Sequence, residues 1–219
     1  MRLVLFDLDG TLIDSEAGIV GSMRHAFAAM GVEAPARDVL RTWIGPPLRA
    51  TFPGVVGDDP ARVEQAVAHY RDRFDAIGWS EHTIYPGMAE VVENIAARGD
   101  RLAIVTTKLR VQAERIVAHL PFGDRFTRIY GPEPGSRASE KVAMVAQALA
   151  DFGAAPEHAV MIGDRRYDIE GAKANRVRAV GVEWGFGSRE ELLDAGADVI
   201  AGSPEGLTGV LAQGESRVP

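Results

Sequence analysis

Leu3-Val4-Leu5-Phe6-Asp7-Leu8-Asp9-Gly10-Thr11-Leu12 is the stretch whose reading decides the fold. Four apolar residues in a row, closed by Asp7, suit a strand buried on both faces, as the strands of a parallel sheet are. Asp7 then stands at the carboxyl end of that strand, where open α/β sheets hold their ligands. Asp9 follows two residues later. Gly10 and Thr11 are turn chemistry, free to wrap a small ligand closely. Two carboxylates this near each other repel unless a cation or a shared proton compensates. Mg²⁺, a hard ion that prefers oxygen, is the simplest compensation at a strand end.

Working outward, the next block carries no strand signal. Ile19, Met23, Ala26, Phe27 and Met30 fall at helical spacing, and Gly31 suits the position just past the helix end. Asp38 is read as the cap of a second helix carrying Val39, Leu40 and Trp43. Pro46 and Pro47 break the helical pattern, because proline does not sit in a helix interior. A longer helix over 60–77 carries Val63, Val67, Tyr70 and Phe74 on one stripe. Residues 15–82 therefore read as an all-helical module inserted into an α/β chain, and residues 1–14 with 83–219 as the core. A module that leaves just after the first strand end suits a lid over the proposed site.

Beyond the insertion the chain alternates strand and helix. Pro86 is read as a helix start, with Val91, Val92 and Ile95 on its apolar face. Arg101 to Val105 reads as a strand closing on Thr106-Thr107-Lys108. Phe126 to Tyr130 is a further short strand, followed by a loop from Gly131 to Ser136 and a helix that opens near Lys141. Ala159-Val160-Met161-Ile162 is a second buried run, ending on Gly163-Asp164-Arg165-Arg166-Tyr167-Asp168. Two acids four residues apart, one at a strand end and one on the following turn, are able to meet the same ion. Ala179 to Val182 and Asp198 to Ala201 are later strands. Ser188 with Glu191 forms a capping box, and Ser203 opens the last helix. The expected fold is α/β, a Rossmann-like parallel sheet with an inserted helical domain.

Composition narrows the function. A net charge of −7, from 24 basic and 31 acidic residues, argues against nucleic acid as a partner, which is bound by clustered Lys and Arg. The absence of cysteine removes disulfides, thiol nucleophiles and cysteine metal sites. Leu3 to Phe6 is too short for a signal h-region, and no run approaches the roughly 20 apolar residues of a membrane span. A cytoplasmic protein without membrane partners is expected.

The pattern D-x-D-G-T after the first strand resembles the first motif of the haloacid dehalogenase superfamily of phosphohydrolases. Thr106 matches the position of that family's second motif, Lys141 its third, and Gly163-Asp164 with Asp168 its fourth, G-D-x-x-x-D. The third match is partial, since the family often has proline after the lysine and Val142 stands here; Lys108 and Arg137 are the competing cations. Within the superfamily the chain looks like the phosphoglycolate phosphatase and 5′-nucleotidase-like branch, with a helical cap of the C1 type.

The resemblance implies a phosphoric monoester hydrolase acting on phosphoglycolate or nucleoside monophosphate-like substrates. Asp7 would be the nucleophile and Asp9 the general acid and base. Gly10, Thr106, Thr107 and Lys141 would bind the phosphoryl group. Mg²⁺ would be held by Asp7, the backbone carbonyl of Asp9 and Asp164, with Asp168 in support. Trp43 to Arg49 is read as a substrate-facing loop, in which Gly45 and Arg49 select the substrate. A dehalogenase would leave Asp9 without a task, and a phosphonatase would need a cap lysine, of which residues 15–82 hold none. A sugar phosphomutase, or a binding module with a retired site, remain the alternatives.

Overall fold

The computed structural model describes residues 1–133 and 141–212. In chain order the elements are β1 (Leu3–Phe6), β2 (Ile13–Asp14), α1 (Glu16–Ala29), α2 (Arg37–Thr42), α3 (Leu48–Thr51), α4 (Pro53–Val56), α5 (Pro60–Ala76) and β3 (Thr83–Ile84). There follow α6 (Met88–Ala97), β4 (Arg101–Val105), α7 (Arg110–Val117), β5 (Phe126–Tyr130), α8 (Lys141–Phe152) and β6 (Ala159–Gly163). The chain closes with α9 (Arg166–Ala174), β7 (Arg178–Val182), α10 (Arg189–Asp194), β8 (Val199–Ala201) and α11 (Pro204–Ala212). It divides into two compact units, Met1–Ile13 with Ile84–Pro219, and Asp14–Thr83.

The first unit is built on a six-stranded sheet in the order β5-β4-β1-β6-β7-β8, with parallel pairing throughout. This is the Rossmann-like α/β core that the alternating pattern implies. β1 is inner, and all four of its residues are buried, which is why its sequence is a continuous apolar run. Leu3 and Leu5 join Val145 and Ala148 of α8 and Ile169 and Ala172 of α9 in one core cluster. Phe6, on the opposite face by strand alternation, meets the Phe126 ring edge-on at 6.0 Å. Register then matters: Phe6 stands beside Ile104 of β4 and Ile162 of β6. The residues that follow those three strands therefore emerge at one level of the sheet, at the point where strand order reverses about β1.

The helical unit packs α1 against α5, with Val63, Val67, Tyr70 and Phe74 buried as their spacing requires. Phe27, Phe52, Tyr70 and Phe74 form a chain of ring contacts at 4.9 to 6.3 Å. Several boundaries differ from the sequence reading. Ala36, not Asp38, takes the cap position of α2; Asp38 lies in the first turn and Val39 faces solvent. Residues 48–56, which carry no clear periodicity, form the short helices α3 and α4, so Leu48 and Arg49 are helical and the loop itself ends at Pro47. Gly45 adopts φ 108, a left-handed conformation that favours glycine, so the turn alone accounts for its identity. α6 begins at Met88 after Gly87 at φ 83, two residues beyond the Pro86 start read from sequence. Among the described residues no helix is long and apolar enough to cross a membrane.

Candidate active site

Three strand ends build the site. Asp7 leaves β1, its N–H donating to the Ile162 carbonyl at 2.9 Å, and is 6% exposed. Thr106 leaves β4, is buried, and has its N–H on the Tyr130 carbonyl at 2.9 Å. Asp164 follows β6 and is fully buried, as is Asp168 in the first turn of α9. Carboxylate oxygens of Asp7, Asp164 and Asp168 lie within 4.8 Å of one another. Asp168 also accepts the Arg165 N–H at 3.0 Å, so it caps its helix while it faces the other two acids.

Lys141 is the cation that enters this group. Its ammonium lies 2.8 Å from Asp7 Oδ1 and also pairs with Asp168, with the side chain only 3% exposed. Burial works against its charge, but Asp168 and Asp7 outweigh that cost and hold its pKa above the usual lysine value. Lys108, the competitor, goes elsewhere: its ammonium pairs with Asp9 Oδ2 at 3.1 Å. Arg137, the third cation considered, lies outside the described residues. Thr107 is half-buried beside Thr106. Arg166 is a surface residue paired with Glu170 at 2.6 Å, whereas Arg165 is largely buried against Glu191.

One lysine does not neutralise three buried carboxylates. Burial raises Asp7 to a pKa of about 7, with Lys141 pulling it down and Asp168 pushing it up. Burial and then the charges of Asp7 and Asp168 raise Asp164 well above its ordinary value, against the Phe186 N–H. A surplus of negative charge on hard oxygen donors, clustered in a dry position, suits a divalent cation such as Mg²⁺. The donor set therefore fits the ion.

Part of the site escaped the sequence reading. The loop after β7 encloses Asp164: Phe186 N–H donates to Oδ2 at 2.7 Å, while Thr11 Oγ1 lies 3.4 Å from Oδ1. Trp184 Nε1 donates to the Thr11 carbonyl at 3.0 Å and so ties the same loop to the first motif. A Cβ at Gly185 would collide with Asp164 and with the Gly10 carbonyl. Gly10 itself has φ +84, and a Cβ there would strike the Asp164 carboxylate. The Gly185-Phe186-Gly187 spacing is the available signal, two glycines just past a strand end that allow a close backbone approach.

In the helical unit, Arg49 does not present a free guanidinium. It forks onto Glu64 of α5, with Nε to Oε1 at 2.5 Å and a second nitrogen to Oε2 at 2.8 Å. The cation expected to meet a substrate anion is thus half of an internal ion pair. Gly45 lies in the turn before it.

Comparison with known proteins agrees with this geometry. Residues 4–182 match the family model for haloacid dehalogenase-like hydrolases. A 5′-nucleotidase from Pseudomonas aeruginosa is 41% identical over 189 residues, covering 86% of each chain. A protein named tyrosine-protein kinase PtkA from Mycobacterium tuberculosis is 37% identical over 193 residues, which are 88% of this chain but only 65% of that protein. The crystal structure of a predicted phosphatase from Clostridium acetobutylicum superposes with a TM-score of 0.91 at 33% identity, covering 97% of this chain and 98% of the other. Acids at two adjoining strand ends and in the first turn of α9, a buried lysine among them and a family match that covers five of the six strands of the sheet lead to one conclusion: the chain belongs to the haloacid dehalogenase-like hydrolases, and it is a phosphatase of that family.

Proposed function

We propose that the protein hydrolyses small-molecule phosphate monoesters with the aid of Mg²⁺, through a phosphorylated Asp7. The observation that carries this reading is the group of three buried carboxylates with Lys141 among them. Asp7, Asp164 and Asp168 would hold the ion, with the backbone carbonyl of Asp9. The ion supplies charge neutralisation between the anionic substrate and the attacking carboxylate.

The remaining steps belong to the chain. An Asp7 carboxylate oxygen attacks phosphorus, and the bond from phosphorus to the ester oxygen breaks. Asp9 gives its proton to that departing oxygen, then takes one from the water that attacks the aspartyl phosphate. Attack returns the Asp7 carboxylate and frees inorganic phosphate. Lys141, Thr106, Thr107 and the backbone at Gly10 bind the phosphoryl oxygens. The helical unit is the substrate-selecting cap, and the favoured substrates are compact monoesters of the phosphoglycolate or nucleoside monophosphate kind. A cytoplasmic setting is consistent with a chain free of cysteine.

The test is phosphate release from a panel of monoesters in chelator, in chelator followed by excess Mg²⁺, and in Mg²⁺ alone. Turnover should vanish with chelator and return with the ion. Turnover unaffected by chelation, or no phosphate released from any ester, overturns the reading.

A further inference from the structure

Two lysines with enclosed side chains pair with three of the four carboxylates of the site. Lys141 takes Asp7 and Asp168, and Lys108 takes Asp9. Lys108 follows β4, and its own N–H donates to Thr106 Oγ1 at 3.2 Å, which fixes the base of its side chain to the buried strand end. Its side chain is 6% exposed and that of Asp9 12%. Asp9 Oδ2 is engaged by the ammonium, while Asp9 Oδ1 is buried with no hydrogen-bond partner among the described residues.

We propose that Lys108 is a positioning residue for Asp9: by holding Oδ2 it sets the rotamer of the carboxyl and leaves Oδ1 as the oxygen that exchanges a proton with the ester oxygen. The inference rests on the reading of Asp9 as general acid. Its physical content is angular. A short carboxyl side chain turns freely about two bonds, and a proton passes only over hydrogen-bond distance in the right direction. A lysine anchored at its backbone and enclosed along its stem removes that freedom before substrate arrives. An arrangement of this kind costs no reorganisation at the moment of reaction. Lys141 is not suited to the task, because its ammonium is already shared between Asp7 and Asp168.

The alternative role for Lys108 is a direct contact with the phosphoryl oxygens, and kinetics separate the two. Lys108→Met and Asp9→Asn are each assayed on phosphoglycolate, whose alkoxide leaves poorly, and on p-nitrophenyl phosphate, whose leaving group needs little protonation. Inhibition by inorganic phosphate is measured for each. A positioning lysine predicts that Lys108→Met lowers kcat on phosphoglycolate by roughly tenfold more than on the nitrophenyl ester, a fraction of the roughly 10²–10⁴-fold that acid catalysis supplies. KM and phosphate inhibition should stay within about twofold, which also shows that the variant is folded. The double variant should be no slower than Asp9→Asn alone, because a lysine that acts only through Asp9 has nothing left to hold. Equal loss on both esters with weakened phosphate inhibition makes Lys108 a phosphoryl ligand and overturns the proposal. If Asp9→Asn itself fails to discriminate between the esters, the acid assignment fails, and that outcome is read without reference to the lysine variant.

Discussion

The sheet unit and the helical unit handle charge in opposite ways. In the helical unit basic side chains meet acids near the surface: Arg49 with Glu64, Arg37 and Arg41 with Glu16, Arg73 with Glu81. These contacts lie partly in solvent and are of the kind that contributes little either way. At the strand ends of the sheet unit, three acids are buried with one shared lysine, and the surplus charge is visible in the raised pKa values of Asp7 and Asp164. Folding alone gives no reason to collect like charges in a dry place, since doing so destabilises the chain. The surplus fits the proposed role of these acids in holding a cation.

The largest test of that contrast is Asp7→Asn. The amide is nearly isosteric but cannot attack phosphorus, so kcat should fall by about a thousandfold or more with the fold intact. Retention of a tenth of the activity would remove Asp7 from the nucleophile role. Next is the ion itself. Mg²⁺ at a hundred times its dissociation constant should stabilise the folded protein by about 2.7 kcal/mol, read as a rise in Tm. Asp164→Asn should abolish that rise and, by removing one surplus charge, should raise the midpoint measured in chelator. A metal-independent Tm in the unaltered protein would break the comparison at its root.

A smaller effect is expected from the glycine that lets Asp164 close on the first motif. Gly10→Ala introduces a Cβ against the Asp164 carboxylate at a left-handed φ. The expected cost is about 1–3 kcal/mol in unfolding free energy, with a weaker Mg²⁺ response. Normal stability and normal metal response would show that the loop yields freely. Smallest of all is Arg49→Ala, which severs an exposed pair and should cost about 0.2–1 kcal/mol, measured by denaturant titration. Its kcat/KM on phosphoglycolate should change by no more than about twofold, because the guanidinium is already committed to Glu64. A tenfold loss confined to anionic esters would instead bring back the substrate-reading role expected from sequence.

The sequence by itself determined the strands and the acids attached to them. β1 and β6 are buried along their length and β4 is an apolar, buried run beyond Arg101, and Asp7, Thr106 and Asp164 follow them directly, so strand pattern and motif reinforce each other. Helical spacing likewise located α1 and α5. Only the tertiary structure decided the pairings. Nothing local to Lys108, Lys141 or Arg49 says that the first meets Asp9, the second Asp7 and Asp168, and the third Glu64. Nor does the stretch 184–187 announce that its backbone closes on Asp164 and Thr11. Secondary structure follows from the period of neighbouring side chains, which a short window contains. An ion pair depends on through-space distance and on competition among every charge within reach, and those distances exist only after the sheet has brought its strand ends together.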